Sequence, residues 1–181
     1  MNITYPTRNL SLKKVITSGV CLALCLLLPF LTGQIPQIGS MLSPMHIPVL
    51  ICGFTCGWPY GLIVGLIAPI LRSLLFGMPP LFPTATAMAF ELAAYGSISG
   101  LLYKILPKRM IFLYTSLVGA MLLGRIIWGI AMIILMGITG GAFTFQAFLA
   151  GAFTNAIPGI ICHVLIIPPI VLGLKKSRLA D

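Results

Sequence analysis

The sequence predicts an all-α integral membrane protein, a single domain over residues 1–181 with six transmembrane helices and both termini in the cytoplasm. Three observations carry this expectation. The chain of 181 residues is 59% hydrophobic and 7% charged, with a mean hydropathy of +1.12, whereas soluble domains run at about 45–50% apolar and about 25% charged. Too few polar residues remain to clothe a soluble core, so lipid is the outer solvent. Several apolar runs also reach the roughly 20 residues needed to cross about 30 Å of hydrocarbon at about 1.5 Å per helical residue. Finally, nine of the eleven Lys and Arg residues fall into three short clusters: Arg8, Lys13 and Lys14; Lys104, Lys108 and Arg109; Lys175, Lys176 and Arg178. Basic residues resist translocation, which places all three clusters on the cytoplasmic side.

The elements follow from those anchors. The first span, 15–33, leaves the cytoplasm and ends in "TGQIPQIGSMLSP", whose Pro, Gly and Ser mark an outside loop. The second, 44–57, returns to a turn at "CGWPYG"; Pro44, Pro48 and Gly53 interrupt it. Irregular backbone at membrane depth survives where it is buried in protein or lines a cavity, so this interruption hints at a site. The third span, 60–76, runs out to "FGMPPLFPT", and the fourth, 83–103, comes back to Lys104. The fifth, 111–137, exits to "GITGGAFTF", and the sixth, 147–173, returns to Lys175. The outside loops near 34–45, 77–82 and 138–146 contain no Lys or Arg. No small-x-small cleavage site precedes Gln34, so the first span is read as a retained helix.

Small residues recur four apart at Gly19 and Ala23, Gly61 and Gly65, Gly96 and Gly100, and along Ala147, Gly151, Asn155 and Gly159. This spacing lets helix backbones approach closely in lipid. Most such rows are expected to pack within the chain, and the first helix is the best candidate for docking a partner.

Charge within the apolar runs is scarce and therefore informative. Glu91 precedes Lys104 by thirteen residues, Arg72 follows Pro59 by thirteen and Arg125 follows Arg109 by sixteen. Counted as helix, all three lie about 20–24 Å above the inner boundary, with His163 near about 18 Å and Asn155 further out. A charge at such depth costs about 2.5–3.5 kcal/mol, so these groups are expected to pair or to face a cavity. Glu91 compensates one of the two arginines, and sequence does not choose which; the other is left to neutralise a carboxylate ligand or to snorkel outward. Tyr95 and Met88 flank Glu91 at helical spacing, while Met121, Trp128 and Met132 share a helical face with Arg125. An apolar, aromatic-lined pocket with a few convergent polar groups suits a small molecule.

Other chemistries find no support. Cys21, Cys25, Cys52, Cys56 and Cys162 lie in apolar segments without zinc-site spacing, and are read as core fillers. His46 and His163 are isolated in sequence, and no metal or cofactor is expected. No phosphate-binding loop, Ser-Lys dyad or paired catalytic carboxylates occur, so the chain is not expected to be an enzyme, and energised transport requires other subunits. No basic stripe with interleaved aromatics points to nucleic acid.

Six helices with both ends inside, taken with "MHIPVLICGFTCGWPYGLIVGLIAPILRSLLFGMPP", "PTATAMAFELAAYGSISGLLY" and "GRIIWG", resemble the substrate-binding S component of an energy-coupling factor (ECF) transporter over nearly the whole chain. The resemblance implies a multi-pass vitamin-capture protein of the bacterial cell membrane. Its partners would be a transmembrane T component and two ATPase subunits, and it would topple in the bilayer to release its ligand inside. Family members carry Ala-x-x-x-Ala on the first helix for the T component; here Gly19 and Ala23 occupy that spacing. The family's outward-opening pocket would recruit Gln34, Gln37, Met45 and His46 with Arg72, Glu91, Arg125 and Asn155; Tyr95 and Trp128 join from their helical faces. The sequence is most similar to the pantothenate branch, with riboflavin, niacin, folate and cobalamin as alternatives. A stand-alone secondary carrier or channel is the alternative class, and a ligand-free anchor protein a third.

Overall fold

A computed structural model describes residues 12–32, 41–154 and 156–177, and every regular element among them is helical. Helix α1 (Leu12–Leu27) tightens into a 3-10 turn at Leu28–Thr32. Helices α2 (His46–Cys56) and α3 (Trp58–Phe76) follow. A wide turn at Leu81–Ala85, with Phe82 extended, leads into α4 (Thr86–Ile105). Helix α5 (Met110–Ile138) is the longest; α6 (Phe145–Leu149) and a wide turn at Ala150–Thr154 precede α7 (Ile157–Lys176).

Among the described residues, five segments are long and apolar enough to cross a membrane: Leu12–Leu31, Trp58–Phe76, Leu81–Ile105, Met110–Ile138 and Phe145–Lys176. The second expected span differs. Helix α2 has 11 residues, which rise about 16 Å and fall short of the hydrocarbon thickness. Its limits are local: Ser43 before it has φ 46 and Gly57 after it φ 97, both outside the helical region. Pro48 falls in its first turn, where a missing N–H costs nothing. All of its residues except Ile47 are buried, between α1, α3, α4 and α7. A helix apolar on every side suits that central position.

Glycine sets how close the neighbours come. A Cβ on Gly61 of α3 would collide with the Gly96 backbone of α4, and one on Gly65 with the backbone at Leu92 and Ala93. Gly53 of α2 lies against the Gly96 carbonyl, and Gly100 against Trp58. These contacts assign the Gly61–Gly65 and Gly96–Gly100 rows to packing within the chain. Gly19 has nothing within 4 Å of its Cβ position, and Gly19 and Ala23 both lie exposed on α1. Cys21 and Cys25 on the opposite side of α1, and Cys52 and Cys56 of α2, are buried thiols in the core.

Away from its ends the described outer surface is mainly apolar, as a lipid-facing bundle requires: Leu122, Leu123, Ile126, Ile130, Ile133 and Ile134 of α5 are exposed. The basic groups collect at one end. Lys175 Nζ donates to Tyr103 Oη at 2.9 Å, and Lys108 Nζ lies 3.9 Å over the same ring, so the second and third clusters meet. Helix α1 runs parallel to α3, since Arg72 near the end of α3 donates to the Leu26 carbonyl and Phe76 packs on Phe30 at 5.0 Å. Lys13 and Lys14, at the start of α1, therefore lie towards the same end as Trp58.

Candidate functional site

Glu91 and Tyr95 stand one turn apart on α4 and present side chains to one face. Helix α5 meets that face at Gly124, where a Cβ would overlap the Tyr95 ring. The missing side chain lets α5 approach and delivers the next residue, Arg125, to the carboxylate. Arg125 Nη1 lies 2.9 Å from Glu91 Oε1, with Glu91 1% exposed. The approach is off-axis, so that oxygen still accepts no directed hydrogen bond. Of the two arginines open to Glu91 in the sequence, the structure selects Arg125.

His46, the first residue of α2, comes from the side. Its Nε2 is 3.5 Å from the same Glu91 oxygen. Its ring meets Tyr95 edge-on at 5.1 Å and stacks on His163 of α7 at 5.9 Å and 20°. His163 Nε2 is 3.3 Å from the Ser43 carbonyl. Because a carbonyl only accepts, Nε2 carries the proton in that contact and a neutral ring turns an acceptor Nδ1 inward. Ser43 thus joins two roles: its positive φ ends the loop before α2, and its carbonyl also receives the His46 N–H at 3.0 Å.

Helices α2, α4, α5 and α7 so converge on one buried polar cluster. Among the described residues, six buried side-chain polar atoms lack a hydrogen-bond partner: Nδ1 and Nε2 of His46, Oε1 of Glu91, Oη of Tyr95, Nε of Arg125 and Nδ1 of His163. All six belong to this cluster. Glu91 Oε1 and His46 Nε2 are nonetheless met by charge, at 2.9 Å from Arg125 Nη1 and at 3.5 Å from each other; a buried polar atom that nothing answers costs about 1–3 kcal/mol, so the others call for an explanation. The cluster offers both donors and acceptors in an apolar surround. No group of three or more His, Cys, Asp or Glu among the described residues is arranged to hold a metal.

Trp128, one turn beyond Arg125 on α5, is half-buried. It stacks on Phe148 of α6 at 6.4 Å and meets Phe143 edge-on at 5.6 Å. Gly151 lies beneath its ring. Met45 is buried, its carbonyl 3.5 Å from the Cys25 thiol. Gln34, Gln37 and Asn155 lie outside the described residues.

Arg72 stands apart from this cluster, at another level than the sequence predicts. Its guanidinium is 3% exposed, 4.9 Å from the Phe30 ring centroid and 5.3 Å from that of Phe76, and it donates to the Leu26 carbonyl near the end of α1. It neither snorkels nor shares the level of Glu91. The helices pack antiparallel with Gly61 beside Gly96 and Gly65 beside Leu92; continuing that alignment sets Arg72 opposite Ala85, about 9 Å outward of Glu91. Counting from the basic clusters failed because α4 extends past the start of α3: Trp58 already faces Gly100, and the helix continues to Ile105. Arg72→Ala is expected to lose about 2–3 kcal/mol from one charge-assisted hydrogen bond and two cation–π contacts, while ligand affinity changes less than about threefold. Thermal unfolding and ligand titration check this, and an affinity loss matching that of Arg125→Ala would return Arg72 to the site.

His163, placed near this level by the sequence, was not among the residues expected to bind. Its helical depth, close to that of Glu91, was the available signal; its stacking partner comes from a segment whose path into the core no periodicity reveals.

A family model for the ECF transporter substrate-specific component matches residues 13–171. The chain belongs to the ECF S-component family. It is accordingly a multi-pass membrane protein and a substrate-binding transporter subunit, not an enzyme, and membership implies a small-molecule substrate with T-component and ATPase partners. No curated protein and no solved structure matches the chain.

Proposed function

We propose that this S component captures a small carboxylated vitamin, pantothenate first, in a bacterial membrane and hands it to a T component with two ATPase subunits. The observation that supports the reading is the single buried cluster holding all six orphaned polar atoms among the described residues. With Arg72 held at Leu26, Phe30 and Phe76, the cluster keeps no surplus arginine, so the support for a carboxylate is the Arg125 Nε–H left unanswered after its contact with Glu91, since a guanidinium edge suits a carboxylate. Hydroxyl and amide groups of such a ligand would meet Tyr95, His46 and Glu91, with Trp128 as an apolar wall and Gln37 and Asn155 as further contacts. Glu91 holds the guanidinium in pose. Gly19 and Ala23, exposed on α1, supply a small-residue face for the T component.

Isothermal titration of the purified protein against pantothenate, riboflavin, niacin, folate and cobalamin tests the ligand class. Pantothenate is expected to bind, and its neutral alcohol analogue to bind about 30-fold more weakly for want of a charge-assisted hydrogen bond of about 2 kcal/mol. Arg125→Ala is expected to erase that preference. Tight binding of neutral compounds alone, indifferent to Arg125→Ala, would sink the carboxylate reading. Substrate flux into liposomes without ATPase subunits would make the chain a self-sufficient carrier.

A further inference from the structure

At the basic end of the bundle two ammonium groups share one phenol. Lys108, between α4 and α5, lies 3.9 Å from the Tyr103 ring centroid and donates to the Tyr103 carbonyl. Lys175, in the last turn of α7, lies 4.1 Å from the same centroid and donates to its hydroxyl at 2.9 Å. The ring is fixed from within by Phe54 of α2, edge-on at 5.4 Å. Desolvation against this surface, and then the Lys175 charge, hold Lys108 below the ordinary lysine range. Lys104, Arg109 and Lys176 are exposed nearby in sequence. No carboxylate balances the pair among the described residues: the described acid, Glu91, is engaged by Arg125. A place that holds like charges together on one ring has affinity for an anion.

The flank says which anion. Ile105 is 69% exposed, Met110 50% and Ile111 61%, immediately before and after the basic loop. The lysines therefore sit where the apolar wall of the bundle ends, at headgroup level, beside surface made for acyl chains. We infer that Lys108 and Lys175, arranged on Tyr103, form a docking site for the phosphate of an anionic inner-leaflet phospholipid. A free phosphate would use the same two ammonium groups but not the apolar flank. An acidic protein surface would need no acyl contact either.

Native mass spectrometry of the detergent-purified protein separates these sources. It is titrated with phosphatidylglycerol and phosphatidylcholine of matched acyl chains, and with inorganic phosphate and glycerol 3-phosphate as headgroup probes. Phosphatidylglycerol is expected to be retained about 30-fold more tightly than phosphatidylcholine, the effect of two surface lysines. K108Q/K175Q is expected to bring the two lipids within about twofold, while K104Q/K176Q, which removes equal charge away from the ring, keeps most of the preference. Should the first variant fail to fold, the single variants K108Q and K175Q are read in its place. Equal retention of both lipids, equal loss in both double variants, or phosphate binding as tight as phosphatidylglycerol overturns the proposal. So does unchanged lipid preference in K108Q/K175Q accompanied by lost assembly with T component and ATPases, which would assign the patch to a protein partner.

Discussion

Glu91→Gln is expected to destabilise the protein by about 3–5 kcal/mol, because it leaves the Arg125 guanidinium buried without its countercharge. Glu91 is 1% exposed and Arg125 9% exposed, and no other described carboxylate is available. Glutamine keeps the shape and one acceptor, so the loss reports the charge. The same change is expected to weaken ligand binding by at least about 100-fold, since an unrestrained guanidinium no longer meets its ligand in a fixed pose. Stability and binding separate in a second variant. Glu91→Leu with Arg125→Met removes both charges at similar volume, and replacing a buried pair in this way is commonly neutral or stabilising. That double variant is expected to unfold near the wild-type temperature and to bind nothing. Thermal unfolding in detergent and isothermal titration read the two quantities. Binding retained by the apolar double variant would remove the pair from the site altogether.

The grouping of Glu91 with Arg125 shows how far the sequence reaches. Depth counting along single helices put both near one level, and charge scarcity made a pair the cheapest arrangement in lipid. The same counting misplaced Arg72, because depth is only comparable between helices whose inner ends coincide, and the last turn of α4 extends inward past the start of α3. That offset is set by where Gly61, Gly65 and Gly96 permit contact, a relation between two segments that neither segment states alone. The small-residue rows were legible as packing surfaces; their pairing was not. Pro44, Pro48 and Gly53 announced that the second span is irregular, and the structure resolves it as the short central helix that begins with His46. The stack of His46 on His163 had no local signal, since 117 positions separate them and each is an unremarkable lone histidine in an apolar run. The aromatic group of Trp128, Phe143 and Phe148 similarly depends on how the chain after α5 folds back.

One substitution at two glycines distinguishes a buried contact from an open face. At Gly96 the nearest atoms to an added Cβ are the carbonyl oxygen, carbonyl carbon and Cα of Gly61, all backbone, while the Gly96 carbonyl itself abuts Gly53. No flexible side chain is present to yield, so Gly96→Val must separate α4 from α3 or shift it along the helix. Overpacking of this kind costs about 1–3 kcal/mol in ordinary cores, and a contact between two backbones, with no rotamer to absorb the strain, belongs at the upper end or beyond. The shift also carries Glu91 away from His46, whose Nε2 now lies 3.5 Å from the carboxylate, so ligand affinity is expected to fall with stability. Gly19→Val meets nothing within 4 Å and is expected to leave both thermal unfolding and ligand binding unchanged. If α1 meets the T component through Gly19 and Ala23, that variant instead loses assembly with the T component and ATPases, measured by co-purification. The two valines thus act on different links: Gly96 on the alignment of helices that builds the site, Gly19 on what the finished bundle touches. Equal destabilisation by both would mean that α1 already has a neighbour on that face, and would overturn the distinction.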